Sequence, residues 1–204
     1  MASIHSVTLE VSDHAAARTF YAAAFDLDGA VQLQESATAT AGFRGFTLSL
    51  LVSQPADADA LLGAALAAGA TPLKPAAKSM WGYGGVVRAP DGTIWKVATS
   101  KKKDSGPATR AVEDVVLLLG VADVGASKRY YADLGFEVDK SIPRTYAQFH
   151  APEGGVKLAL YKRRALAKDA GVDPDGSGSH RVTIRGGAGA LTDPDGFAWA
   201  PAPS

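Results

Sequence analysis

The stretch "APDGTIWKVA", Ala89 to Ala98, decides the fold, because the chain repeats it about a hundred residues later as "DPDGFAWAPA", Asp193 to Ala202. Each copy is a Pro-Asp-Gly turn followed, three residues after the glycine, by a tryptophan. The next residue is Lys96 in the first copy and Ala200 in the second. A turn and a short strand in duplicate are the mark of a repeated supersecondary unit.

The repeat extends outward from these turns. "VTLEVSDHAAARTFYAAAF" (Val7 to Phe25) matches "LLLGVADVGASKRYYADLG" (Leu117 to Gly135) at an offset of 110. "GFRGFTL" (Gly42 to Leu48) matches "GSHRVTI" (Gly178 to Ile184) at 136, and the two turns match at 104. Unequal offsets mean two copies with complementary losses. The second half carries "FEVDKSIPRTYAQFHAPEGGVKLALYKR" (Phe136 to Arg163), three strand-like runs between Pro and Gly turns, where the first half has only "AVQLQES" (Ala30 to Ser36). The first half carries a helix, "PADADALLGAALAAGA" (Pro55 to Ala70), with Pro and Asp at its start and Gly69 at its stop. The second half runs almost directly from "RVTIR" to its final turn. The expected order is strand, helix, short strand; strand, helix, three strands; linker; strand, helix, three strands; then two strands.

Composition sets the outer limits. A chain of 204 residues holds one large domain or two small ones. Lys plus Arg balances Asp plus Glu at 21 each, so no global field recruits nucleic acid or an anionic membrane. With no cysteine there is no disulfide framework, thiol nucleophile or cysteine-based zinc site. "MASIHSVTLEV" lacks the basic and apolar regions of an export signal, and the longest apolar run, Val115 to Ala122, is too short to span a bilayer. These features lead to the expectation of a soluble, cytoplasmic protein. "KKKDSGPATR", Lys101 to Arg110, reads as a linker.

The pattern resembles the vicinal oxygen chelate superfamily, which holds glyoxalase I, bleomycin resistance proteins and extradiol dioxygenases. The residues that carry the resemblance are "VTLEVSD…FY", "VLLLGVAD…YY" and the run from "FTLSLLV" through "ALLGAALAAGATPLKPA" to "MWGYGGVVRAPDGTIW". It covers nearly the whole chain. It implies an α+β fold of βαβββ modules whose curved mixed sheets form a cup, with partial modules at the two ends. Residues 1–100 make a first half with a truncated N-terminal hairpin, 101–112 a linker, and 113–204 a second half lacking its last helix.

Strand alternation assigns faces. Val7, Leu9 and Val11 form an apolar row and Ser6, Thr8 and Glu10 a polar one. Phe46, Leu48 and Leu50 face the helices, and Thr47 and Ser49 face away with Gly45. Trp95 and Trp199, next to the cup positions, are expected in the core. Trp81 and Tyr83 are expected as a stacking surface, although a core role for one of them fits equally well. Tyr161 shares the face of Ala159, and Tyr146 reaches toward its rim. Ser6, Thr8, Glu10, Thr47, Ser49, Trp81, Tyr83, Lys96, Tyr161 and Arg181 are the expected ligand-binding residues.

The resemblance also implies where a divalent ion would be held: Ser6 and Val116 on the first strands, Lys96 and Ala200 on the closing strands, Gly45 and Arg181 at the second-module strand starts, and Ala159. None is an imidazole or a carboxylate, so no metal and no cofactor is expected. His5 and His180 lie one residue from ligand positions, and such a slip turns a side chain to the other face. His14 and His150 have no partner nearby in sequence.

Three function classes fit these residues. The first is a metal-free binder of a drug or metabolite, of the bleomycin resistance type. The second is an enzyme, either a lyase or dioxygenase or a metal-free catalyst using Glu10 and Lys96 as acid and base. The third is a structural or interaction protein whose cups are filled by its own side chains. The first and last strands are expected in one sheet, or alternatively paired between two copies of a homodimer.

Overall fold

In the computed structural model, which describes residues 2–27 and 29–202, every expected strand and helix forms, together with some that the sequence reading omitted. The first unit is β1 (Ile4–Val11), α1 (His14–Ala24) and β2 (Val31–Glu35); the two-residue β3 (Ala41–Gly42) follows. The second unit is β4 (Phe46–Leu51), α2 (Pro55–Ala67), β5 (Thr71–Ser79), β6 (Gly82–Arg88) and β7 (Ile94–Thr99). The third is β8 (Asp114–Val121), α3 (Val124–Asp133), β9 (Val138–Ile142), β10 (Tyr146–Phe149) and β11 (Val156–Lys162). Then come α4 (Arg163–Ala170) and β12 (Gly176–Ser177), and the fourth unit is β13 (Val182–Gly186), β14 (Leu191–Thr192) and β15 (Ala198–Ala200).

The helices start where the repeated Asp ends each first strand. Asp13 accepts from Ala16 N and Asp123 from Ala126 N, both at 2.9 Å, satisfying amides that the helix leaves open. Within each unit the first strand is parallel to the last: β4 to β7, β8 to β11, β13 to β15. Units then join through antiparallel pairing of their first strands, β4 with β8 and β1 with β13. Among the described residues one sheet of 13 strands results, its main path running β14-β15-β13-β1-β11-β8-β4-β7-β6-β5. The first and last strands of the chain therefore share a sheet, with β13 between them.

The sheet makes two cups. Units two and three form a complete one, and the truncated units one and four form a shallower one. The expected apolar rows lie on the helix side: Val7, Leu9, Val11, Phe46, Leu48 and Leu50 are all buried in one core with the helices. Both repeated tryptophans join them. Trp95 sits 5.6 Å from the Tyr21 ring and 4.9 Å from Phe25, and Trp199 sits 5.6 Å from Tyr131. Tyr21 Oη donates to Asp91 of the first Pro-Asp-Gly turn at 2.9 Å, while its counterpart Tyr131 donates to Asp193 just before the second turn. Burial drives both phenols far above their ordinary pKa, so they act as neutral donors.

The segment expected to be a linker is pinned to the surface of α2. Gln54 accepts from the amides of Ser105 and Gly106 and donates to Pro107 O, and Asp57 accepts from Thr109 N. Helix α4 is the main departure from the sequence reading. "RRALAKDA" is rich in good helix formers, and Gly171, at φ 79°, ends it in the left-handed conformation with Val172 N bonded back to Ala167 O.

Candidate functional site

The concave face of the complete cup follows from the strand registers. Ser49 is paired with Val116 on one side and with Lys96 on the other, so Val116, Ser49 and Lys96 form one row across β8, β4 and β7. Thr47 pairs with Leu118, which pairs with Ala159, and Tyr161 stands two residues beyond on the same face. Thr47, Ser49, Lys96 and Tyr161 are thus brought into one cup, as the alternation of their strands requires.

That cup is occupied by α4. Leu166, Ala167 and Ala170 are buried against Phe43, Val86 and Ile94, with Leu118 and Tyr161 packed around them. Asp169 on the same helix takes Lys96 Nζ at 2.7 Å, and Lys74 Nζ donates to Lys168 O at 2.6 Å. Arg163 at its start donates to Phe43 O at 2.8 Å and Pro174 O at 3.0 Å. Glu10 was expected as the acid–base partner of Lys96; the structure corrects this. Glu10 lies on β1 in the other cup, and β11, β8 and β4 stand between it and β7. Glu10 and Lys96 therefore form no acid–base pair, which needs hydrogen-bond reach through at most one water.

Beside α4 the cup stays open as a cleft of about 320 Å³, lined by Lys74, Lys78, Trp81, Lys96, Ala98 and Asp169 among others. Lys96 and Asp169 reach it with side chains 34% and 42% exposed. Trp81 stands at the tip of the β5–β6 hairpin at the mouth of the cleft, 81% exposed. Gly84 forms part of the floor, where a side chain would strike the Val97 carbonyl. Tyr83 takes the core role that was open to one of the two aromatics, packing against the helix-side core while it also borders the cleft. Its hydroxyl donates to Asp59 of α2 at 2.7 Å, which puts its ring on the helix side of the sheet. Tyr146, on β10 and outside the lining of the cleft, donates to Gln148 at 2.7 Å, and burial, with Asp139 and Tyr161 nearby, pushes its pKa up to about 12.

The shallower cup holds Ser6, Thr8 and Glu10, away from the other expected ligand residues. Ser6 pairs with Arg185 and Thr8 with Thr183. Arg185 Nε donates to Thr8 Oγ1 at 2.9 Å. Arg181 is buried at φ 58° and donates to Thr38 O at 2.8 Å and Ser36 O at 3.0 Å, holding the loop after β2. Its charge is spent on main-chain carbonyls rather than on cleft space.

The donors of neither cup fit a divalent ion. One row offers Val116, Ser49 and Lys96, and its counterpart offers Ser6, Arg185 and Ala200. An ammonium or guanidinium at the centre repels a cation, and hydroxyl and methyl groups do not replace imidazole and carboxylate. Among the described residues no three His, Asp or Glu side chains cluster as a metal site. His180 lies with Nδ1 2.6 Å from Arg44 O and Nε2 3.2 Å from Asp195 O, and its ring stacks on Phe197 at 3.9 Å. It is a structural side chain. His5 is exposed beside a shift in the β1 register.

Two participants were missed in the sequence reading, Asp169 and Arg185. "RRALAKDAG" carries a helix signal in its run of Ala, Leu, Arg and Lys closed by Gly, and "RVTIR" alternates so that Thr183 and Arg185 share the polar face.

No family model matches the sequence, and no curated protein matches it. Solved structures do. Glyoxalase I from Zea mays superposes with a TM-score of 0.62 at 13% identity, covering 98% of this chain and 91% of that one. A candidate dioxygenase from Bacillus subtilis gives 0.57 at 11% identity, covering 95% of this chain and 71% of that one. Among the described residues no helix is long and apolar enough to cross a membrane. With paired βαβββ units, first strands joined antiparallel and these structural neighbours, the chain has the vicinal oxygen chelate fold.

Proposed function

We propose that this protein binds a small molecule, a drug or metabolite, without a metal and without converting it, in the cleft that α4 leaves open. The observation that carries this reading is Lys96. It supplies a half-buried ammonium at the base of a cleft of ligand size, in the row where a metal-dependent relative would need a ligand set. The separation of Glu10 from Lys96 removes the one acid–base pair that an enzyme reading had. A ligand's oxygen meets Lys96 in exchange for Asp169, with Trp81 at the mouth as an aromatic wall. The test is a fragment screen by ligand-observed NMR on the native chain, repeated on Lys96→Met. A charge-assisted contact is worth about 1.5–3 kcal/mol, so cleft binders lose roughly ten- to a hundredfold in affinity. Equal binding by the variant removes the lysine from the site.

A second reading is favoured by the packing of α4. Leu166, Ala167 and Ala170 are at most 2% exposed, as core residues are, which is what a cup filled for stability alone would show. A screen in which no fragment contacts the cleft decides for that reading.

A further inference from the structure

The two cups correspond residue for residue. The offset of 110 carries Val116 back to Ser6, the offset of 136 carries Ser49 to Arg185, and the offset of 104 carries Lys96 to Ala200. The registers agree: Ser49 pairs with Val116 and Lys96, and Arg185 pairs with Ser6 and Ala200. Each central row therefore holds one cation, on the closing strand in the complete cup and on the middle strand in the shallow one. What differs is the counter-charge. Lys96 is neutralised by Asp169 of α4, whereas the fourth unit has no helix to lay over Arg185.

Arg185 is held but not neutralised. Its Nε donates to Thr8 Oγ1, which fixes the plane of the guanidinium. Among the described residues no carboxylate lies within ion-pair distance of it, and neither terminal nitrogen has a hydrogen-bond partner. Those nitrogens are absent from the buried unpartnered atoms, so they reach solvent. Directly opposite, Ser6 Oγ is fully buried and has no partner. Ser6 Oγ is thus a buried polar atom that the chain leaves unused, uncommon in a folded interior, beside guanidinium nitrogens that face water. Thr183 adds a hydroxyl on the same face.

We propose that the shallow cup is a second binding site, for the carboxylate of a small monoanionic ligand, with Arg185 as its anchor. The open edge of a guanidinium presents two parallel N–H groups that match the two oxygens of a carboxylate. Glu10, two residues past Thr8 on the same face, disfavours dianions by its own charge. Ser6 and Thr8 are buried while Glu10, Thr183 and Arg185 are half-buried, so the carboxylate meets the row at the terminal nitrogens of Arg185 that reach solvent, and the body of the ligand extends outward from there. This site lies outside the cleft of the proposed function, and neither depends on the other.

The test titrates the native chain with sodium benzoate and, separately, with neutral benzamide at constant ionic strength. The readout is the shifts of the backbone amides of Thr8, Thr183 and Arg185 and of the Arg185 Nε–H. Benzoate produces saturable shifts with a dissociation constant on the order of 1–10 mM, the range open to so small a ligand, and benzamide does not. Arg185→Gln weakens benzoate about tenfold or more, and Arg185→Lys, which keeps the charge and loses the fork, weakens it too; Lys96→Met leaves these shifts unchanged. Linear, non-saturating shifts, equal response to benzamide, or full binding by Arg185→Gln each overturn the proposal. Should Arg185→Gln fold poorly, the benzoate–benzamide contrast on the native chain still decides.

Discussion

Lys96 Nζ lies 2.7 Å from Asp169 Oδ2, tying the closing strand of one unit to a helix that no unit of the fold requires. Both side chains are more than a third exposed or close to it, so solvent screens the pair and its worth is under about 1 kcal/mol. Asp169→Asn accordingly shifts the urea midpoint little. It does change the cleft, which gains an uncompensated ammonium. Anionic fragments that occupy the cleft bind the variant more tightly than the parent, and neutral ones do not. A loss of several kcal/mol on Asp169→Asn would instead mark the pair as a structural bolt.

The apolar side of α4 tells a different story from its charged side. Leu166 is 1% exposed, against 42% for Leu66 on α2. Leu166→Ala is expected to cost about 2–4 kcal/mol, from lost burial and the cavity left behind. Leu66→Ala stays within about 0.5 kcal/mol and serves as the control. Urea unfolding of the two variants measures both. Equal, small effects would mean that α4 does not close the cup in solution.

The strand rows were legible because alternation needs only local sequence. Val7, Leu9 and Val11 must be on one face whatever the strand pairs with, and the Pro-Asp-Gly turns set where Trp95 and Trp199 enter the core. Partition into cups was not legible, since it depends on which first strands join. Glu10 and Lys96 are both polar, outward residues of the first half, yet β4 pairs with β8 and β1 with β13, so the halves of the sequence are not the cups. Helix α4 was hidden for another reason. Its eight residues follow β11 without a break, and Lys162 offers no side-chain cap to announce the start.

Two carboxyls respond to acid in opposite senses. Burial alone would raise Asp57, but hydrogen bonds from Ser53, Thr109 and Gln54 prevail and hold it below the ordinary carboxylate value. A depressed folded pKa adds stability that is complete above the unfolded value of about 3.9 and is lost as pH falls through the folded value. Asp193 is pushed up by burial, against the bonds from Tyr131 and Phe197 N. Its protonation favours the folded chain, so its contribution grows as pH falls through the raised value toward about 3.9. Denaturation midpoints measured across the acid range test this. Asp57→Asn flattens the loss of stability below about pH 4, and Asp193→Asn flattens the opposing trend above it. Identical pH profiles for parent and variants would refute both assignments.

The last prediction concerns metal ions, on which the distance from glyoxalase-like chemistry turns. Each central row holds a cation, Lys96 or Arg185, and neither row offers a carboxylate or an imidazole. A site with micromolar affinity would stabilise the fold by about 4 kcal/mol at a thousandfold excess of metal. For a chain of this size that is a rise of roughly 8–16 °C in the melting temperature. Millimolar Zn, Ni, Mn or Fe(II) added to the untagged protein is expected to raise it by no more than about 1 °C, and a chelator to leave it unchanged. Elemental analysis of the purified chain is expected to find none of these at near-stoichiometric level. A rise of several degrees with any one of them would show that side chains outside the two rows assemble a site. That result would return the lyase and dioxygenase readings to the front.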